Sequence, residues 1–201
     1  RIDLAGTSAA KGDFWDMDGA RIREVEQGPD GALYVLEDER GSVQFDFDKL
    51  AETVRVAVGQ LDRVIDLNFY PIESARRSNL RWRPVGLGVM GLQDVFFRMR
   101  LAFDCAEALA LSTRIAERIY LHALEASCEI AAARGAHPAF AETRAAAGEL
   151  QFDLWGVAPT EAAAWDALKA RIAEHGLRNS LLIAIAPTAT IASIAGCYEC
   201  I

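Results

Sequence analysis

The chain has 201 residues, 52% hydrophobic and 25% charged, and carries a formal net charge of −8. That balance suits a soluble globular protein with one sizeable core and excludes a disordered chain. The acidic surface repels nucleic-acid backbones, so direct DNA binding is not expected, and the longest apolar run, Leu181 to Ala186, is far too short to cross a bilayer.

Residues 1 to 45 carry little chemistry. Arg21 to Gln27 and Ala32 to Leu36 flank Gly28-Pro29-Asp30-Gly31, a turn signal that predicts an exposed hairpin. A helix is expected from Asp46 or Asp48 to Asp66, with Leu50, Val54, Ala57, Leu61 and Val64 as its apolar stripe. A short helix over Ile72 to Ser78 should follow. Arg76, Arg77, Arg81 and Arg83 surround Trp82; they suit either a solvated loop, the favoured reading, or a contact with a nucleotide or carboxylate.

Val85-Gly86-Leu87-Gly88-Val89 alternates large apolar residues with glycine. That pattern predicts a strand whose glycine face meets another backbone or a ligand at short range. A helix from Leu92 to Met99 comes next, then a long one from Asp104 to Arg134. Asp104 and Glu107 have capping-box spacing, Leu111, Ile115, Ile119, Ala123, Ala126 and Ile130 form the buried face, and Gly135 is the stop. A further helix is predicted from Glu161 to Glu174, capped by Thr160, with Trp165, Leu168 and Ile172 inward.

Leu181 to Ala186 reads as a strand buried on both faces, as in a parallel sheet under helices. Pro187-Thr188-Ala189-Thr190 then leads into a helix over Ile191 to Gly196. The first turn of a helix leaves backbone N–H groups without partners and carries partial positive charge, which binds phosphate without lysine. An ordinary Thr188 cap is the competing explanation. Helices alternating with buried strands give an α/β class, helix-rich in this segment.

Four cysteines occur. Cys105 and Cys128 fall inside helical patterns, where a thiol packs as a small apolar group, so a reducing, cytoplasmic compartment is expected. Cys197 and Cys200 form a C-x-x-C without a second pair or nearby histidine, and packing is preferred over a metal or redox role. His122, His137 and His175 show no ligand spacing and read as structural. No export signal is recognised, and both ends read as cuts through a longer protein.

Five segments together resemble one family. They are Asp66-Leu67-Asn68-Phe69-Tyr70-Pro71-Ile72, Arg83-Pro84-Val85-Gly86-Leu87-Gly88-Val89-Met90-Gly91-Leu92-Gln93-Asp94, Leu150-Gln151-Phe152-Asp153-Leu154-Trp155, Gly176-Leu177-Arg178-Asn179-Ser180-Leu181-Leu182-Ile183-Ala184, and Pro187-Thr188-Ala189-Thr190. Each is weak alone; in this order they resemble the large subunit of class I ribonucleoside-diphosphate reductases. The resemblance implies that residues 46–201 are the C-terminal part of a ten-stranded α/β barrel, itself incomplete, and that 1–45 are a poorly matched hairpin or insertion.

It further implies thiyl-radical reduction of ribonucleoside diphosphates, with Thr188, Ala189, Thr190 and Ile191 holding the substrate's diphosphate. Ile191 offers only its backbone N–H, where relatives often carry a hydroxyl. The Asn-x-Cys-x-Glu loop of the family is not in the sequence and is expected upstream, and the radical-relay tyrosines downstream, so the 201 residues alone should be inactive. No cofactor is expected on this segment. The radical would come from a metal-containing small subunit and the electrons from a thioredoxin- or glutaredoxin-type reductant. The implied full-length chain is a homodimer with ATP and dNTP effectors bound outside this segment, and with no membrane attachment. Two other readings remain: a cobalamin-dependent class II reductase, and a non-catalytic helical interaction module.

Overall fold

A computed structural model describes the backbone of residues 3–5, 8–10, 24–27 and 33–36 and all of residues 43–199. The chain divides into two compact units, residues 1–44 and 45–201.

In the first unit, β1 (Asp3–Ala5) pairs antiparallel with β2 (Ser8–Ala10), and β3 (Glu24–Gln27) with β4 (Leu33–Leu36). Glu24 faces Leu36 and Gln27 faces Leu33, the register of the expected hairpin. Its turn and the exposure of its side chains lie outside the described residues.

The second unit is built on two long helices. α1 (Phe47–Leu67) starts where the Asp46 carboxylate accepts the Lys49 N–H at 2.8 Å. Its buried face is Ala51, Val54, Val58, Asp62 and Ile65, not the expected stripe through Leu50, Ala57, Leu61 and Val64. Val64 is 55% exposed. The face is turned by one residue because Asp62, a charged residue that period-counting leaves outside, points inward to the buried guanidinium of Arg83.

α4 (Ala106–Arg134) runs about 44 Å at 1.5 Å per residue and packs against α1 and the helix over Ala162–His175. Ile115, Ile119, Ala123 and Ala126 are buried as expected. The predicted Asp104 cap is not used: Cys105 is the cap residue, its Sγ taking the Ala108 N–H at 3.4 Å.

α6 (Ala162–His175) buries Trp165, Leu168 and Ile172, as its spacing predicts. Thr160 does not cap it. Instead Glu117 of α4 gathers the N–H groups of Thr160 (2.8 Å) and Glu161 (3.3 Å), the Thr160 hydroxyl, and the Trp165 indole N–H (2.9 Å). A carboxylate from another helix thus anchors the chain entering α6, whose cap residue is Glu161 without a side-chain cap bond. Burial raises the Glu117 pKa, but those hydrogen bonds outweigh it and leave the carboxyl below its usual value.

Among the described residues, four shorter α-helices, α2 (Glu73–Trp82), α3 (Leu92–Met99), α5 (Gln151–Trp155) and α7 (Ala189–Ala195), and two 3-10 turns, Phe140–Glu142 and Arg144–Ala147, complete the unit. α2 runs four residues beyond the expected end at Ser78. The two segments expected as strands, 85–89 and 181–186, lie side by side and parallel, joined by one bridge, Leu87 to Ile183. Among the described residues Leu182 is buried, while Leu181 is 65% and Ile185 50% exposed. Only one neighbouring segment pairs with 181–186 among the described residues, so its other edge is unpaired there.

His137, after α4, is buried between Trp82 and Phe140, with ring centroids 6.1 and 5.9 Å away. Both ring nitrogens are buried without a hydrogen-bond partner. Burial therefore holds the imidazole below its ordinary value of 6.5 and keeps it neutral. The unfolded chain takes up this proton first, so stability falls as pH drops through about 6.5 toward the lower folded value. Substituting His137→Phe is expected to flatten the pH dependence of the urea unfolding midpoint between about pH 7.5 and 5.

Candidate functional site

The site has three parts: a buried polar node, a parallel pair of segments leaving it, and the turn at which one of those segments ends.

The node is centred on Arg83. α2 ends there because Arg83 turns into the left-handed region (φ 46°), a conformation disfavoured both for a residue with Cβ and for one preceding proline. Five hydrogen bonds hold it. Nε and Nη2 donate to Asp62 Oδ1 at 2.9 and 2.8 Å, and Nη2 also donates to the Asp62 carbonyl at 3.0 Å. Nη1 and Nη2 donate to the two oxygens of Asp66 at 2.7 and 2.9 Å. Hydrogen bonding to Arg83 holds the Asp66 carboxyl below its usual range.

Asn179 closes the node. Its amide donates to Asp62 Oδ1 and to the Arg83 carbonyl, both at 3.1 Å. Its backbone N–H donates to Ser127 Oγ and its side-chain oxygen accepts from the same hydroxyl, both at 3.0 Å. Asp62, Arg83, Ser127 and Asn179 are each at most 3% exposed. One cluster thus ties α1, the end of α2, α4 and the start of the 181–186 segment. Of the predicted basic cluster, Arg76 and Arg81 are exposed and paired with Glu73 and Glu142, as a solvated reading expects. Arg83 is not solvated. A guanidinium offers five donors in a plane, enough for two carboxylates and a carbonyl, and that satisfies its own burial. Asp62 Oδ2 makes no hydrogen bond and faces Arg178 Nε at 3.6 Å.

From the node the two segments run together. Ser180 N donates to Trp82 O (3.1 Å), Val85 N to Leu181 O (3.0 Å), Leu87 N to Leu182 O (2.7 Å), and Ala184 N to Leu87 O (3.0 Å). The glycines are where the sequence places them. A Cβ on Gly86 would lie 3.0 Å from Ala184 Cβ, and one on Gly88 only 2.5 Å from the Ala184 carbonyl oxygen. The predicted close backbone approach is between these two segments.

The 181–186 segment delivers the chain to Pro187 and Thr188. α7 begins at Ala189, two residues before the expected Ile191. Thr188, Ala189, Thr190 and Ile191 therefore occupy the cap and the first turn, and the Thr188 carbonyl accepts the Ala192 N–H at 2.8 Å. Ala189, Thr190 and Ile191 are exposed and Thr188 is half-buried. Thr188 adopts the left-handed conformation (φ 54°, ψ 13°), rare for a β-branched residue, and its side chain makes no capping hydrogen bond. It is not the ordinary threonine cap that the sequence left open. Two cavities, of about 330 and 420 Å³, lie between α1 and α4, and neither is lined by a residue of this turn.

Cys197 is half-buried beyond α7; Cys200 lies outside the described residues. Among the described residues no three His, Cys, Asp or Glu side chains form a metal-binding group, and no helix is long and apolar enough to cross a membrane.

Residues 32–201 match the family model described as ribonucleotide reductase, barrel domain. The chain is 51% identical over 158 residues to a ribonucleoside-diphosphate reductase large subunit of Caenorhabditis elegans, covering 79% of this chain and 20% of that one. It is 50% identical over 157 residues to the large chain from Schizosaccharomyces pombe, 78% of this chain and 19% of that one. With the large subunit of Variola virus the identity is 48% over 156 residues, again 78% and 20%. The chain spans about a fifth of the length of these curated relatives.

The node is missed by sequence reading, though three of the five resembling segments contribute to it: Asp66, Arg83 and Asn179 each come from a different one. Lysine cannot make the paired contacts of Arg83. Arg83→Lys leaves buried carboxylate oxygens short of donors and is expected to cost about 3 kcal/mol, read as a lowered denaturant midpoint at unchanged slope.

Proposed function

Because the chain belongs to the ribonucleotide reductase family, through its barrel domain, we propose that the protein reduces ribonucleoside diphosphates to their 2′-deoxy forms and that this segment supplies the grip on the diphosphate. Thr188, Ala189, Thr190 and Ile191 are the proposed contacts. Ala189, Thr190 and Ile191 present first-turn N–H groups to an anion, Thr188 and Thr190 add hydroxyls, and Ile191 contributes its backbone N–H alone.

The observation that carries this reading is the conformation of Thr188. A β-branched residue held in the left-handed region stores on the order of 1–3 kcal/mol of strain, and such strain gathers at ligand-binding turns. Here it falls at the exposed end of a segment that runs parallel to its neighbour, where α/β sheets bind ligands. The acidic net charge makes local dipoles, not the overall field, the means of holding a phosphate.

The rest of the proposed activity follows the resemblance. The reaction proceeds by a thiyl radical, within a ten-stranded barrel to which residues 46–201 contribute the C-terminal part. The radical originates in a separate, metal-containing small subunit, and a thioredoxin- or glutaredoxin-type protein returns the enzyme to its reduced state. The large chain acts as a homodimer in the cytoplasm, with ATP and dNTP effectors bound outside this segment. The relatives' names specify diphosphate substrates and a large subunit, which favours this scheme over the cobalamin-dependent class.

Titration of the full-length protein with a nucleoside diphosphate tests the grip. Thr188→Ala and Thr190→Ala are each expected to weaken binding about tenfold, the loss of one hydrogen bond to a charged group. Native affinity in both variants would contradict the assignment. Thr188→Gly separates strain from binding: it is expected to raise stability by about 1 kcal/mol in thermal unfolding while still weakening the diphosphate complex.

A further inference from the structure

Within the described residues, α7 buries little of its own surface. It has seven residues, and Ala192 is the one buried among them; Ile191 and Ile194 are 56% and 81% exposed. Its direction is therefore set by its two ends. The upstream end is fixed by the parallel pairing from Leu181 to Ala184. The downstream end is fixed by α3.

After α7, Gly196 turns the chain in the left-handed region, and Cys197 N donates back to the Ala192 carbonyl at 3.1 Å. Tyr198 then meets the start of α3 with both of its backbone groups. Its N–H donates to Asp94 Oδ2 at 2.8 Å, and its carbonyl accepts the Gly91 N–H at 2.8 Å. The Tyr198 ring stands edge-on to Phe97, 5.5 Å between centroids.

The geometry is that of a capping box opened to admit another part of the chain. In a local box the acid at the third helical position accepts the N–H of the cap residue. Asp94 is that third residue and Gly91 is the cap residue, yet the Gly91 N–H goes to Tyr198 and Asp94 takes the Tyr198 N–H in exchange. Helical caps stabilise a helix locally. This one uses its groups to hold the far end of α7 across 104 positions of sequence.

We infer that Asp94 is a positioning residue for the diphosphate grip, fixing α7 through the backbone of Tyr198 so that the Thr188–Ile191 turn keeps its aim. The inference rests on assigning that turn to the diphosphate. Releasing one end of a helix with one buried residue lets its opposite end pivot, and displacement of about an ångström at a binding group is enough to degrade binding severalfold or more.

The test is steady-state kinetics of the full-length protein assembled with its radical-generating partner, alongside thermal unfolding. Asp94→Ala should raise KM for nucleoside diphosphate about tenfold while kcat changes less than about twofold. Asp94→Asn, which keeps an acceptor oxygen for the Tyr198 N–H, should restore KM to within about twofold of native. Asp94→Glu moves the acceptor by one methylene and should give an intermediate KM; it decides the matter if Asp94→Ala does not fold.

A native KM in Asp94→Ala, or in a folded Asp94→Glu if the alanine variant fails, overturns the inference. So does an equal rise in KM with an equal fall in unfolding midpoint in Asp94→Ala and Asp94→Asn, since that marks a merely structural aspartate. If Thr188→Ala and Thr190→Ala weaken binding while Asp94 variants do not, the grip stands and the positioning role falls. If none of them does, both fall.

Discussion

The buried guanidinium of Arg83 is the contact on which the rest of the second unit depends. Arg83 and Asp62 are buried and Asp66 is 43% exposed at its side chain. Burying charge is costly unless it is paired and hydrogen-bonded, and Asp62 Oδ2 is left facing Arg178 Nε at 3.6 Å without a hydrogen bond. Here Asp62, Asp66 and the carbonyl of Asp62 take the Arg83 donors, and Asn179 takes the remaining Arg83 carbonyl. The gain is geometric. Four separate stretches of chain are brought to one point with little freedom in register, because a planar fork accepts carboxylates in few orientations.

That point is also where the two parallel segments begin. The Arg83 conformation directs Pro84 and Val85 outward from α2, and Asn179 directs Ser180 and Leu181 alongside them. Register fixed at the node carries down the pair through Leu87 and Ala184, where glycine permits an approach that any Cβ would block. The turn at Thr188 lies four residues further on. Its strained backbone is tolerated because the chain is held before it by the pair and after it by the start of α3. Among the described residues, packing of α7 itself contributes little.

Helix placement was largely legible in the sequence. Trp165, Leu168 and Ile172, and the Ile115 to Ala126 face, follow a period that apolar packing enforces directly. The errors share a cause. The stripe of α1 is off by one residue because Asp62 faces inward; Thr160 is held by Glu117 and does not cap α6; and Arg83 is buried, not solvated. In each case a charged group finds its partner 17 or more positions away, which no local pattern encodes. The turn at 187–190 was legible for its residue types, while the left-handed state of Thr188 was not, since threonine at that point signals a cap. Glycine alternation located the 85–89 segment and a continuous apolar run the 181–186 segment; an apolar run says that faces want cover without saying which element provides it.

The central claim is that the node sets the register of the parallel pair and so delivers the turn. Amide hydrogen exchange in the full-length protein, native against Asn179→Leu, tests it most directly. The Leu87 and Ala184 amides should lose protection together, to a common opening free energy, while amides in the middle of α6 keep theirs. Native protection at Leu87 and Ala184 in the variant would mean that the pair holds its register without the node, and would contradict the claim.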